Sequence, residues 1–435
     1  MTAHERWGVV GGGMLGLTIA LRLVERGQDV TVVEAAPTLG GLASAWDLDG
    51  VVWDRHYHVT LLSDAHLRAL LGELGLEDGM EWVETKTGYY GGEQLYPVSN
   101  TLEFLRLPAL RMLDKLRLGG TIFYGSKIRN GRRLEGVLVD DWLRRWSGRH
   151  TFEVFWLPLL RAKLGENHRH ASASFIWATI QRLYRARRSG LKKEMFGYVP
   201  GGYARITERF ADELRSRGVE LVLGERVREI KATDDGLHVV SADGTDRRFD
   251  RVVVTAAAPI ASRLCPDLAT HERATLDAVR YQGIVCVSLL LRRPLAPYYL
   301  TYITDPACPF TAVIEMSTLV DPDRYLAGHS LVYLPKYVTP DDPLFEETDE
   351  AIIDAFVPYL RSMHPALSDD DIRCAKVSRV RQVLAVTTLD YSAHVPPMRT
   401  SVPGLFLVSS ANIVNGTLNV DESVQLADRA VDELA

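Results

Sequence analysis

WGVVGGGMLGLTIALRLVERGQDVTVVEAAPTLGGLA, residues 7–43, is the stretch that decides the fold. Residues 7–10 read as a buried strand, 14–26 as a helix closed by Gly27, and 29–33 (DVTVV) as a second strand, a β-α-β unit. Gly11, Gly13 and Gly16 stand as G-x-G-x-x-G at the junction of first strand and helix. The first glycine permits a tight turn, the second lets backbone approach a diphosphate, and the third lets the helix pack closely on the strand. A diphosphate placed there lies over the helix N-terminus, where free N–H groups and the macrodipole favour anions. Glu34 ends the second strand, 18 residues past Gly16, where a carboxylate accepts hydrogen bonds from an adenosine ribose. Its charge repels a 2′-phosphate, which disfavours NADP.

Gly40-Gly41, followed by Leu42 and Ala43, supplies a second close backbone approach to the diphosphate. The pattern V-V-G-G-G-M-x-G-L, then V-T-V-V-E-A, then G-G-L-A resembles the FAD superfamily of flavin amine oxidases, protoporphyrinogen oxidases, phytoene desaturases and UDP-galactopyranose mutases. Two further blocks carry the resemblance, PGGYARITERFADEL with GVELVLGERVREI, and GLFLVSSANIVNGTLNVDESVQLADRAV. The resemblance implies FAD as cofactor. It also implies an α/β fold in which a GG-type Rossmann-like FAD-binding domain is interleaved with an α+β substrate domain and a helix-rich subdomain. The expected boundaries are 1–65, 196–265 and 396–435 for the three parts of the FAD domain, 66–195 for a helix-rich substrate or lid region, and 266–395 for a substrate domain with a β-sheet. Met14, Leu15 and Ala35 join the glycines and Glu34 in the expected binding set, and Val227 is expected to meet the adenine from its backbone.

Composition fits this picture. At 435 residues the chain exceeds what one core holds. Its 46% apolar and 24% charged residues are those of a globular protein. The four cysteines, Cys265, Cys286, Cys308 and Cys374, form no C-x-x-C pair, so no metal site is expected and a reducing cytoplasm fits. The longest clean apolar run, IVCVSLLL at 284–291, is too short to span a bilayer, and a strand begins by Trp7 where a secretory peptide would place an apolar helix. The net charge of −6 conceals an asymmetry, since residues 101–200 carry 20 Lys+Arg against 8 Asp+Glu. Runs such as RLYRARRSGLKK (182–193), with Arg185, Arg187 and Arg188, suit an anionic small-molecule substrate, peripheral contact with an acidic membrane, or simply a solvated helical face. Nucleic acid is not expected, because no recognition motif accompanies the charge.

Departures from the resembled pattern narrow the chemistry. Amine oxidases carry a lysine near flavin N5 on a strand similar to GIVCVSLLLRRP, and the matching position here is Cys286. The closing helix opens with Asn419, Val420, Asp421 and Glu422 where an aromatic residue would cage an amine. The usual G-D of the closing block is replaced by Ser409-Ser410-Ala411-Asn412, so Ser410 or Asn412 is expected to supply the missing polar contact, with Asn419 and Val420 at the flavin end.

In WDRHYHVTLLSD (53–64), His56 and His58 alternate with Arg55 and Tyr57, so an extended segment turns both histidines to one side. Beside a flavin, either serves as general base or binds a substrate hydroxyl, or both simply pack there. Tyr391 is the third candidate catalytic residue; His394 and Lys336 are weaker ones.

No second nucleotide fold is visible, so dioxygen, a quinone or a diffusing partner is expected to reoxidise the flavin. The expected function is an FAD-dependent oxidase or dehydrogenase taking hydride to flavin N5 from an anionic or glycosylated small molecule. Two alternatives stand beside it: a mutase-like, non-redox flavoenzyme acting on a sugar nucleotide, supported by the similarity of Asn419-Val420-Asp421 to a mutase N-M-D, and a flavin-bearing scaffold without turnover.

Overall fold

A computed structural model describes residues 4–188 and 195–434, the side chains of residues 101 and 183–188 excepted. Strand Arg6–Val10 is flanked in parallel by Asp29–Glu34 and Arg251–Val254, and Glu220–Leu223 and Leu405–Leu407 complete a five-stranded parallel sheet. Parallel sheets need cover on both faces. Helices Met14–Glu25, Gly202–Ser216 and Val420–Leu434 cover one face through Leu17, Leu21, Phe210 and Leu426. On the other, the antiparallel strands Val227–Thr233, Gly236–Ser241 and Asp246–Phe249 set Ile230, Val239 and Phe249 against Val252 and Val254. Helix Met14–Glu25 stops where Gly27 turns left-handed (φ 77°), a conformation that costs glycine little.

A second sheet of seven strands is built around Tyr281–Leu291, every residue of which is buried. Strand alternation explains this: Val285, Val287, Leu289 and Leu291 pack toward helix Asp349–Met363, while Ile284, Cys286 and Leu290 turn to the opposite face with Tyr333 and Tyr337. The apolar run at 284–291 is therefore a core strand. Among the described residues no helix is long and apolar enough to cross a membrane. Two strands of this sheet, Thr87–Gly91 and Gln94–Pro97, come from the stretch expected to be helix-rich. Their two-residue turn, Gly92 (φ 61°) and Glu93 (φ 62°), is left-handed at both positions, the geometry that matches the twist of a hairpin.

The remaining layer is helical. Met112–Lys127, Val139–Ser147, Leu157–Leu164 and Ala173–Arg188 surround Trp142, Phe152, Trp156 and Leu160, and the same cluster reaches Leu384 and Leu418. The helical layer thus closes over the place where the second sheet meets the loop before the last helix.

Candidate active site

The glycine turn folds as a cradle. Gly11 has φ 118°, and a side chain there would lie 2.3 Å from Thr255 Oγ1. At Gly16 a Cβ would lie 2.0 Å from the Gly11 carbonyl oxygen, the close helix-to-strand packing that only glycine permits. Gly13 differs: an added Cβ would meet only Gly41 Cα at 3.8 Å and Gly40 O at 4.0 Å. The Gly40 N–H donates to Gly12 O at 2.8 Å, which brings both glycine turns onto the N-terminus of helix Met14–Glu25. Glu34 Oε2 accepts the Gly12 N–H at 2.6 Å and Oε1 the Ala36 N–H at 2.7 Å, so the carboxylate is fixed at the rim. The Gly224 and Glu225 N–H groups donate to Ala36 O and Glu34 O, which sets the chain leading to Val227 beside that carboxylate. A glycine-walled gap over a helix N-terminus, with a fixed carboxylate at one end, fits the adenosine diphosphate half of FAD.

The closing segment is held by its own side chains. Asn412 Oδ1 accepts the Ser409 N–H at 2.9 Å and Nδ2 donates to Pro396 O at 2.9 Å, so Asn412 shapes the turn, while the Ser410 side chain is hydrogen-bonded to Tyr281. Tyr391, expected to be catalytic, donates its hydroxyl to Ala411 O at 2.8 Å and is 4% exposed; it braces this turn. His394 is exposed and Lys336 half-buried. Asn419 Oδ1 accepts the Glu422 N–H at 3.0 Å and caps the helix that begins at Val420. Asp421 accepts the Leu67 N–H at 2.9 Å; burial raises its pKa and that of Glu422.

His56 and His58 do not share a side. Strand Val51–Asp54 ends at Asp54, whose carbonyl accepts the Tyr333 hydroxyl at 2.5 Å and whose carboxylate accepts the Tyr203 N–H at 2.8 Å. The chain bends at residues 55 and 56, so the strict alternation expected of an extended segment is lost. His56 is buried against Ser378 Oγ of the second sheet. His58 turns to Tyr203, ring centroids 4.9 Å apart, and donates from Nδ1 to the His56 carbonyl at 2.9 Å. Tyr57 points to a third partner, its hydroxyl 2.8 Å from that of Tyr337, and Lys163 Nζ donates to Tyr337 Oη at 2.7 Å. Arg55 lies over the Trp46 ring.

Burial, more than any partner, sets the charge state here. It pushes His56 down to about 3 and His58 to about 4, so both are neutral imidazoles at physiological pH. The Cys286 thiol and the Tyr57 and Tyr333 phenols are pushed up and stay protonated.

Asp54, which sequence reading missed, is pushed up by burial to about 7 from its ordinary 3.8. The folded chain therefore holds a proton that the unfolded chain has released, and stability falls as pH rises through that window. Asp54→Asn keeps the acceptor for Tyr203 and removes the titration. Its advantage over wild type in urea unfolding should grow from about pH 4 and level off above about pH 7, at no more than on the order of 4 kcal/mol. Parallel pH profiles for the two proteins would contradict this.

Arg182, the first residue of the basic run, is paired with Asp64 at 3.0 Å. The side chains of Arg185, Arg187 and Arg188 lie outside the described residues.

The chain belongs to the flavin containing amine oxidoreductase family, whose model matches residues 15–435. It is similar to the "Probable zeta-carotene desaturase" of Synechococcus elongatus, at 24% identity over 93% of each chain. It is also similar to the 15-cis-phytoene desaturase of Arabidopsis thaliana, at 23% identity over 86% of this chain and 69% of that one. In fold it matches an oxidoreductase from Methanosarcina mazei (TM-score 0.77, 17% identity, 98% of this chain and 100% of that one). Reduced UDP-galactopyranose mutase is a further fold neighbour (TM-score 0.75, 16% identity, 99% of this chain and 95% of that one). The protein is an FAD-dependent oxidoreductase.

Proposed function

We propose that this enzyme dehydrogenates a neutral small molecule at carbon, beside the sheet face that bears Cys286, Tyr333 and Tyr337. The observation that carries this reading is that burial holds the histidines, the thiol and the phenols of that region uncharged, beside the Lys163 side chain seated on Tyr337. His56, His58 and Cys286 are all held uncharged by burial, Arg182 is paired with Asp64, and Arg55 stacks on Trp46. Of the anionic and glycosylated substrates that the sequence suggests, the glycosylated one suits these uncharged groups better. The desaturase names of the similar proteins support removal of hydrogen from carbon.

FAD, when bound, supplies the hydride acceptor. Gly11, Gly13, Gly16, Gly40 and Gly41, with Met14, Leu15, Ala35, Leu42 and Ala43 beside them, hold the diphosphate; Glu34 holds the ribose and the Val227 backbone meets the adenine. Ser410 contacts the ribityl end, and Asn419 keeps the N-terminus at Val420 directed inward to favour negative charge. The helical layer excludes water above the sheet. Tyr57 and Tyr337, oriented by Lys163, present hydroxyls to a polar group of the substrate, and neutral His56 and His58 act as hydrogen-bonding and packing groups, with His58 Nε2 an acceptor.

Anaerobic mixing with neutral polyene and glycosylated alcohol panels tests the reading. Stoichiometric loss of the visible flavin band on adding one of them is expected. Turnover of a sugar nucleotide only after chemical pre-reduction would overturn the proposal in favour of the mutase-like alternative.

A further inference from the structure

Helix Met112–Lys127 buries polar residues beside Leu118 and leaves large apolar side chains outside. Its polar residues Asp114, Lys115 and Thr121 are buried at 5%, 8% and 2% exposure. Asp114 accepts from Thr151 and pairs with His150, Lys115 donates to Leu105 O at 2.7 Å, and Thr121 accepts from Ser147. The outward face is apolar: Met112 and Leu113 are each 58% exposed, Leu116 is 65% and Phe123 57%. Met112, Leu116 and Phe123 follow helical spacing, so they form one stripe. Between Leu116 and Phe123 stand Gly119 and Gly120, where an added Cβ would meet nothing within 4 Å. The preceding helix Thr101–Arg106 extends the patch with Leu102, 57% exposed, and Trp146 adds an aromatic edge, its ring tilted against Tyr124 with centroids 4.2 Å apart. A protein of ordinary surface does not gather large apolar side chains this way without a partner.

The rim around the stripe is basic. Residues 101–133 hold eight Lys and Arg against two acidic residues, Glu103 and the buried Asp114. Arg106, Arg117, Lys127, Arg129, Arg132 and Arg133 are exposed, and none of them forms a salt bridge among the described residues. An apolar helical stripe with unpaired cations along its edges is the design of a helix that lies in the plane of a membrane interface. We propose that this face docks the enzyme on an anionic phospholipid bilayer, the stripe entering the headgroup boundary and the arginines meeting lipid phosphates and carboxylates. A second copy of the chain is a poorer occupant, since a two-fold contact here would set one basic rim against the other. The basic run at 182–193, which first suggested acidic surfaces, is a different segment.

The test is co-sedimentation of the FAD-loaded enzyme with vesicles of phosphatidylcholine alone and of phosphatidylcholine mixed with phosphatidylserine. Binding to the mixed vesicles that weakens with salt is expected. Leu116→Glu with Phe123→Glu should weaken it about tenfold or more, with flavin spectrum and melting temperature unchanged because both residues are exposed. Reversal of Arg129, Arg132 and Arg133 to Glu should abolish the preference for phosphatidylserine while sparing the fold. Equal vesicle binding by wild type and the Leu116→Glu, Phe123→Glu variant would overturn the proposal. So would a wild-type dimer, dissociated by that variant, that ignores vesicles.

Discussion

Gly13→Ala should leave the chain folded and strip it of flavin. The substitution is compatible with the protein itself: Gly13 has φ −75° and ψ 171°, a conformation open to any residue, and its added Cβ would meet backbone atoms no closer than 3.8 Å. What the methyl group meets is the gap between the helix N-terminus and the Gly40-Gly41 turn, where a diphosphate must come into contact with backbone N–H groups. Displacing it weakens one or two charge-assisted hydrogen bonds, which amounts to roughly a tenfold to hundredfold loss of FAD affinity. Gly16→Ala is the contrasting variant, because its Cβ would lie 2.0 Å from the Gly11 carbonyl oxygen, and the fold itself should fail. Flavin content and melting temperature of the apo forms separate the two effects. Wild-type flavin content in Gly13→Ala would show that the diphosphate does not pass this glycine.

Asp64→Ala should be the most damaging single truncation at the seam between the FAD domain and the helical layer. Asp64 keeps 4% of its side-chain surface and Arg182 28%. The carboxylate accepts from Arg182 Nη2 at 3.0 Å and from the Leu61 N–H at 2.8 Å. Removing it leaves a guanidinium and a backbone donor without their partner, a loss of about 3 kcal/mol in urea unfolding. Asp64→Asn retains an acceptor for Leu61 and should lose less. A loss under about 1 kcal/mol for the alanine variant would mean that Arg182 finds water or another acceptor, the behaviour of a surface pair.

How much of this was legible in the sequence follows the range of each interaction. The cradle was readable because strand, glycine turn, helix and second strand are consecutive, and Gly11, Gly13, Gly16 and Glu34 meet through local backbone geometry. The hairpin at residues 87–97 carried a weaker signal, as Gly-Glu is a less distinctive left-handed turn than Asn-Gly. The direction of His56 and His58 was not readable. It depends on where strand Val51–Asp54 stops, and Tyr333 and Tyr203, both remote in sequence, hold that end. The Tyr57, Tyr337 and Lys163 chain was equally hidden, its links separated by 280 and 174 residues. Asn412 and Tyr391 carried the right chemistry for a site, yet each is fully engaged by a nearby backbone group. In sequence, a polar side chain that braces a turn looks the same as one that faces a ligand.

The chain is expected to grip FAD by its adenosine diphosphate half. Calorimetric titration of the apoprotein with FAD and, separately, with FMN tests it most directly, since FMN has the isoalloxazine ring and one phosphate without the adenosine. FAD should bind one per chain and FMN at least about a hundredfold more weakly, in keeping with loss of the ribose contact at Glu34 and half of the diphosphate contacts. Equal affinity for the two would place the grip on the ring and contradict the account.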